Sequence, residues 1–234
     1  SDTMSGGAGS DDMDGGEVDS LVGMMKSYVY DSIGPPTLQD AVLGQYAQYQ
    51  HHVEEDRSKW IKDEAEITAK TMTPTYAAVQ LNIDTNRWNG VPVIVTAGKA
   101  LDERTAYVRF IFKSGGELVF NVQGGAAGTA ISATSDLPAF EAVPGWSGTS
   151  HNISPGENPG AYDSLVAAAF HGKESMFVQT DTLLASWRVW TPLLNAIEAL
   201  EAPPMAYSPG GEEVFAESSK LFKVAGSDRA PKEL

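Results

Sequence analysis

The chain has 234 residues, with 31 Asp and Glu against 16 Lys and Arg for a formal charge of -15, and it contains no cysteine. At roughly 100–200 residues per domain, that length makes one large domain or two small ones, and a hydrophobic fraction of 42% is enough to bury a core. The missing cysteine excludes a disulfide framework, a thiol nucleophile and thiolate metal ligands, while the acidic balance disfavours nucleic acid and anionic membranes as partners. No apolar run approaches about 18 residues, and no basic leader precedes an apolar stretch, so neither a membrane span nor a targeting peptide is expected. The expectation is a soluble intracellular protein, with cytoplasm and an organelle such as the plastid stroma left undistinguished.

Residues 1–19 carry Asp2, Asp11, Asp12, Asp14, Glu17 and Asp19 with no Lys or Arg, which is 6 of the 15 excess negatives. Rich in glycine and without aromatics, this tail cannot offset the entropy of ordering by itself, so it is expected to be disordered alone and to order only on a partner. The domain proper is expected over 20–234. Leu21, Val22, Met24, Met25, Tyr28 and Val29 suit an amphipathic helix ending at the Gly34-Pro35-Pro36 break. A second helical stretch is expected between Ala41 and Lys70, its charges forming a solvated face.

From Tyr76 the chemistry changes to strands, with β-branched and aromatic runs at 76–84, 91–97, 105–113, 117–123 and 128–134. The short connections 85–90 and 114–116 suit hairpins and an antiparallel sheet. In the third of these strands Ala106, Val108, Phe110 and Phe112 share one face by the period-2 rule, which reads as core, while Thr105, Tyr107, Arg109, Ile111 and Lys113 form a mixed face. Residues 136–160 read as a long connection. Helices are expected at Ala161–His171 and from a cap near Thr180, the latter with Leu183, Trp187, Trp190, Leu194 and Ile197 as its packing stripe until Pro203-Pro204. The remainder is polar, with Val214, Phe215, Leu221 and Phe222 as anchors.

Few spacings carry chemistry. His51 and His52 point about 100° apart on a helix with no other His nearby in sequence, so surface histidines are favoured over a metal site, and no metal ligands are assigned. Residues 6–14 fit one calcium-binding nonapeptide, but such a roll shares each ion between stacked copies, and chance in a Gly/Asp-rich tail explains a single one. Gln123-Gly124-Gly125-Ala126-Ala127-Gly128 is not GxGxxG and precedes a strand, so a hairpin loop is favoured over a dinucleotide site. No nucleophile, base or metal constellation is found. Lys99 and Arg104 flank the junction of two strands and suit an anion such as a phosphate, unless Asp102, Glu103 or another carboxylate pairs with them.

Those residues belong to a longer pattern. Arg87-Trp88-Asn89-Gly90-Val91-Pro92-Val93 and Gly98-Lys99-Ala100-Leu101-Asp102-Glu103-Arg104 resemble segments of glucose-6-phosphate dehydrogenases, as do Val42-Leu43-Gly44-Gln45-Tyr46, Thr75-Tyr76-Ala77-Ala78, Tyr162-Asp163-Ser164-Leu165, and Ala185-Ser186-Trp187-Arg188-Val189-Trp190-Thr191-Pro192-Leu193-Leu194. The motifs stand in family order over about 42–208. The resemblance covers the family's C-terminal domain alone and implies an α+β fold, a large mostly antiparallel sheet with helices packed on one face, which in the family makes dimer and tetramer contacts. It extends to neither the NADP-binding Rossmann domain nor the catalytic His, so no catalytic residue is assigned and the isolated chain is not expected to catalyse.

Residue by residue, the resemblance gives Lys99, Arg104 and Gln123 as sugar-phosphate contacts, either live or vestigial, and Arg109 as one member of a second, structural NADP site. Thr96, Thr105 and Asn121 stand where that site has cations, so it is expected to be vestigial and no cofactor is expected without a partner chain that supplies the Rossmann domain. The leading expectation is a non-catalytic structural or interaction subunit, contacting protein partners or further copies of itself through the sheet surface and acidic tail. The alternatives are the C-terminal half of a split or truncated NADP-dependent dehydrogenase of the pentose phosphate pathway, and a sugar-phosphate sensor.

Overall fold

Tyr76–Asn82 alternates buried Tyr76 and Ala78 with buried Val79 and Leu81 on opposite sides, the pattern of a strand covered on both faces. The computed structural model describes the chain over residues 15–113, 116–124, 130–134, 150–153 and 161–224. In chain order these form α1 (Gly15–Asp31), a short 3-10 turn (Leu38–Asp40), β1 (Ala41–Tyr46), α2 (Tyr49–Arg57), α3 (Glu64–Ile67), β2 (Tyr76–Asn82), β3 (Pro92–Gly98), β4 (Thr105–Ile111), β5 (Glu117–Gly124), β6 (Ala130–Thr134), β7 (Ser150–Ile153), α4 (Ala161–Phe170), a second 3-10 turn (Glu174–Met176), α5 (Thr180–Glu198), β8 (Met205–Tyr207) and α6 (Glu212–Val224).

The strands hydrogen-bond in two groups of four, ordered β3-β2-β1-β8 and β4-β5-β6-β7. Every pairing is antiparallel except β1 with β8. The α+β architecture and its mostly antiparallel pairing are those the resemblance implies. In the first sheet the two faces of β2 seed two cores. Tyr76 and Ala78 pack with Tyr207, and with Val214 and Leu221 of α6, while Val79 and Leu81 pack with Leu193, Trp190 and Ile197 of α5. The helices of this sheet thus lie on both its faces.

Several sequence expectations change. Ala41–Tyr46 is a strand rather than the start of a helix, because pairing with β2 on one side and β8 on the other overrides the charged, helix-like sequence that follows; helix resumes only in α2 and α3. Residues 150–153 form β7 inside what reads as a long connection, and β8 and α6 occupy what reads as a polar remainder. In α5 the buried face is Thr182, Ala185, Val189 and Leu193; Leu183, Leu194 and Trp187 stay exposed, Trp187 by 57%. Small side chains at 182 and 185 let α1 approach, Ser27 Oγ lying 3.5 Å from Thr182 Oγ1, so the large apolar residues fall beside the contact and not in it. The residue before this helix is Gln179, which makes no side-chain cap; Asp181 sits in the first turn instead. The acidic stretch at 2–14, the calcium-like nonapeptide and most of the Gly-rich segment 124–128 lie outside the described residues.

The largest difference concerns β4 and β5. Their register sets Val108 opposite Phe120 and Phe110 opposite Leu118, so these four share a face, and the Phe110 and Phe120 rings meet edge to face with centroids 6.0 Å apart. That face reads as core, yet Val108 is 51% exposed and Phe110, Phe112 and Phe120 are each 36% exposed. On the opposite face Val119 is buried and Arg109 largely so, while Tyr107 and Ile111 are 42% and 38% exposed. Among the described residues, nothing covers the apolar side.

Candidate functional site

The segment from Gly98 to Arg104 joins β3 to β4, the two strands that end one sheet and begin the other. Its backbone is held at successive residues. Lys99 N–H donates to the Thr75 carbonyl at 2.8 Å, and the Tyr207 hydroxyl donates to the Lys99 carbonyl at 2.7 Å. Gly210 N–H donates to the Ala100 carbonyl at 2.9 Å, and Leu101 bridges to Gly210. Ala100 has φ +50°, a left-handed conformation that costs a non-glycine residue about 1 kcal/mol or more and that only surrounding structure maintains. The Leu101 side chain closes the turn onto the core, where a Cβ on Gly98 would stand 2.8 Å from it and one on Gly211 2.6 Å.

This anchoring leaves the charged side chains outside. Lys99, Asp102, Glu103 and Arg104 are all exposed, and neither Lys99 nor Arg104 forms an ion pair among the described residues. The pairing with Asp102 or Glu103 that composition favours is therefore not made. Gln123, also exposed, lies opposite Ala106, two residues past Arg104, so these two occupy the same end of β4, with Lys99 at the other end of the turn, following β3. A bulge between Ala106 and Tyr107 shifts the register there, and Thr105 donates to Asn121 at 3.3 Å across the same pair. Two cations on one turn, with a neutral amide beside the second, are groups that can receive a phosphate or carboxylate.

Arg109 sits differently. Its Nε donates to Glu117 Oε2 at 2.7 Å and Nη2 bonds the same oxygen, which leaves the guanidinium, 15% exposed, neutralised from within; Nη1 is buried with no hydrogen-bond partner among the described residues. Thr105 and Asn121, near it in sequence and register, bring hydroxyl and amide groups rather than charge, and Thr96 lies on the other sheet opposite Ala78.

Elsewhere the chemistry is sparse. His52 Nδ1 lies 2.8 Å from the Tyr46 hydroxyl, and His51 is 3.7 Å from Glu55, both rings being exposed. Among the described residues no group of three or more His, Asp and Glu could hold a metal ion, and no helix is long and apolar enough to cross a membrane. A cleft between α1 and α5 includes Asp31, Glu174, Asp181 and Arg188, but Arg188 is paired with Asp31 and the surplus is acidic, which disfavours an anion.

The residue pattern of the family described as "Glucose-6-phosphate dehydrogenase, C-terminal domain" matches residues 20–133 and 147–227. The chain belongs to this family. A glucose-6-phosphate 1-dehydrogenase of Ceratitis capitata is 36% identical over 223 residues, covering 86% of this chain and 42% of its own length. The crystal structure of the Mycobacterium avium glucose-6-phosphate 1-dehydrogenase superposes with a TM-score of 0.65 at 19% identity over 92% of this chain and 46% of that one. A structure of a glucose-6-phosphate dehydrogenase in complex with its substrate glucose-6-phosphate gives 0.63 at 25% identity, over 91% and 46%. These 234 residues therefore span less than half the length of such relatives and correspond to one domain of them.

Within this glucose-6-phosphate dehydrogenase C-terminal domain, sequence reasoning locates Lys99 and Arg104 but not the groups that hold their turn. Tyr207 comes from a three-residue strand whose only sequence signal is an aromatic residue between Pro203-Pro204 and Gly210-Gly211.

Proposed function

We propose that this domain is an assembly module, a non-catalytic structural subunit that joins other protein surfaces, in the first place a second copy of itself, through the apolar face of β4 and β5. The observation that carries this reading is the exposure of Val108, Phe110, Phe112 and Phe120 together on one side of a regular sheet. Scattered exposed apolar residues are ordinary, but a contiguous aromatic patch on a sheet face usually marks an interface. A flat face pairs readily with its own copy about a two-fold axis, which is the commonest closed arrangement. Arg109 already tied to Glu117, with Thr105 and Asn121 close in register and the uncharged Thr96 on the other sheet, is a weak donor set for a multiply charged phosphate cofactor, which supports a role without NADP. Native mass spectrometry of the protein isolated from its source tests the reading. A dimer or larger complex is expected, and a bare monomer at working concentration contradicts it.

One observation favours a second reading. Lys99 and Arg104 are exposed, without an ion pair among the described residues, and mounted on an anchored turn, and a relative is known with bound glucose 6-phosphate. On this reading the turn still contacts sugar phosphate. It does so either as a sensor or as part of NADP-dependent oxidation of glucose 6-phosphate, with the remaining length of the relatives supplied from elsewhere. Isothermal titration of glucose 6-phosphate should then show saturable heat that Lys99→Ala removes; absence of heat in the wild type contradicts it.

A further inference from the structure

We infer that Tyr207 is the positioning residue of the Lys99 turn, setting the direction in which its ammonium leaves the sheet. The inference rests on the second reading above, that this turn receives a sugar phosphate.

Tyr207 is 1% exposed, and its ring packs among Tyr46 and Tyr76, so the side chain has one orientation. Three oxygens surround its hydroxyl: the Lys99 carbonyl at 2.7 Å, Thr75 Oγ1 at 3.0 Å and the Thr75 carbonyl at 3.3 Å. A phenol has one proton to give. Thr75 Oγ1 already accepts from Tyr46 N–H at 2.9 Å, so its own proton is available for the phenol oxygen, and the Tyr207 proton goes to the nearest carbonyl, that of Lys99. The chain Tyr46 N–H to Thr75 to Tyr207 to Lys99 thereby runs from the centre of the first sheet to the residue that carries the charge. It ends one residue before Ala100, whose positive φ turns the backbone, and the loop that follows Tyr207 supplies the Gly210 N–H on the Ala100 carbonyl. Without the hydroxyl, the Lys99 carbonyl loses its partner while the Lys99 N–H and the Ala100 carbonyl keep theirs, so the peptide is held less firmly and the exposed ammonium loses its fixed origin. Tyr207 itself, buried beneath the turn, touches no ligand.

The test combines titration and amide exchange on the full chain. Glucose 6-phosphate is titrated into wild type, Lys99→Ala, Tyr207→Phe and the double variant, and exchange of the Lys99 and Gly210 amides is followed by NMR. Loss of one well-placed hydrogen bond should weaken binding by about 5- to 10-fold in Tyr207→Phe. In the Lys99→Ala background the same change should cost nothing further, because the phenol acts only through that side chain. Exchange at Lys99 and Gly210 should quicken while that of β2 amides stays slow. Equal affinity in Tyr207→Phe, or a loss that adds in full to that of Lys99→Ala, overturns the inference, since a merely structural residue gives additive losses. If the wild type shows no heat, the sugar-phosphate reading fails instead, and the holding of the turn is judged by exchange alone: unchanged rates in Tyr207→Phe overturn it. Should that variant fail to fold, the wild-type Lys99 carbonyl 13C shift decides: the downfield value of a carbonyl that accepts from a phenol supports the clamp and the value of an unbonded carbonyl refutes it.

Discussion

Tyr76 shows how a single residue ties the first sheet to its covering helix. Its ring is buried, and its hydroxyl lies 2.8 Å from Ser218 Oγ on α6, a buried pair of polar groups that satisfy one another. Burial disfavours the phenolate and raises its pKa above the ordinary 10.0, an effect that bonds from Ser218 and Thr96 only partly offset. The sign follows directly: the unfolded tyrosine ionises first, so the contribution to stability is complete below pH 10 and is lost as pH rises through the higher folded value. Denaturant titrations across pH 8 to 11 should therefore show stability falling above about pH 10, and Tyr76→Phe should flatten that fall. At neutral pH the same variant leaves Ser218 without its partner and should cost about 1–2 kcal/mol. A variant with unaltered stability and an unaltered alkaline slope would show that the pair contributes nothing. Ser218 also explains why α6 escapes sequence reading, since it places a polar residue four positions after Val214 on the buried face.

Among elements, β1 gains its place from contacts distant in sequence. At its centre Gly44 faces the α6 side of the sheet, where a Cβ would stand 2.5 Å from Val214 Cγ1 and 2.9 Å from Tyr207 Cδ1. Gly44→Ala should force those two buried side chains to shift and lower stability by about 1–3 kcal/mol, read as a drop in melting temperature with unaltered circular dichroism at low temperature. An unchanged melting temperature would mean that α6 does not lie against the strand. β2 to β6 are legible in the sequence because β-branched and aromatic runs alternate between clear turn signals at 85–90 and 114–116. β1, β7 and β8 are not, since strands of 6, 4 and 3 residues are defined by what they pair with rather than by their own composition. The candidate site divides the same way. The cations of the turn stand out as a local pattern, whereas the phenol beneath them comes from 108 residues further on and is visible only once β1 and β8 are adjacent.

For the molecule as a whole, the decisive fact is that the alternation in β4 predicts a core on a face that solvent reaches. Period-2 reasoning identifies the apolar side correctly and cannot say whether its cover comes from the same chain. Helices account for both faces of the β3-β2-β1-β8 sheet, but among the described residues the side of the second sheet that carries Phe110 and Phe120 has no such cover. A charged residue at Val108, half in solvent in the monomer, should change monomer stability by no more than about 0.5 kcal/mol and yet prevent another apolar surface from closing over it. The most direct test of the assembly account is sedimentation velocity of wild type and Val108→Asp across a concentration series. The account predicts a wild type that associates as concentration rises and a folded, monomeric Val108→Asp; a wild type that stays monomeric throughout, or association that the substitution leaves unchanged, contradicts it.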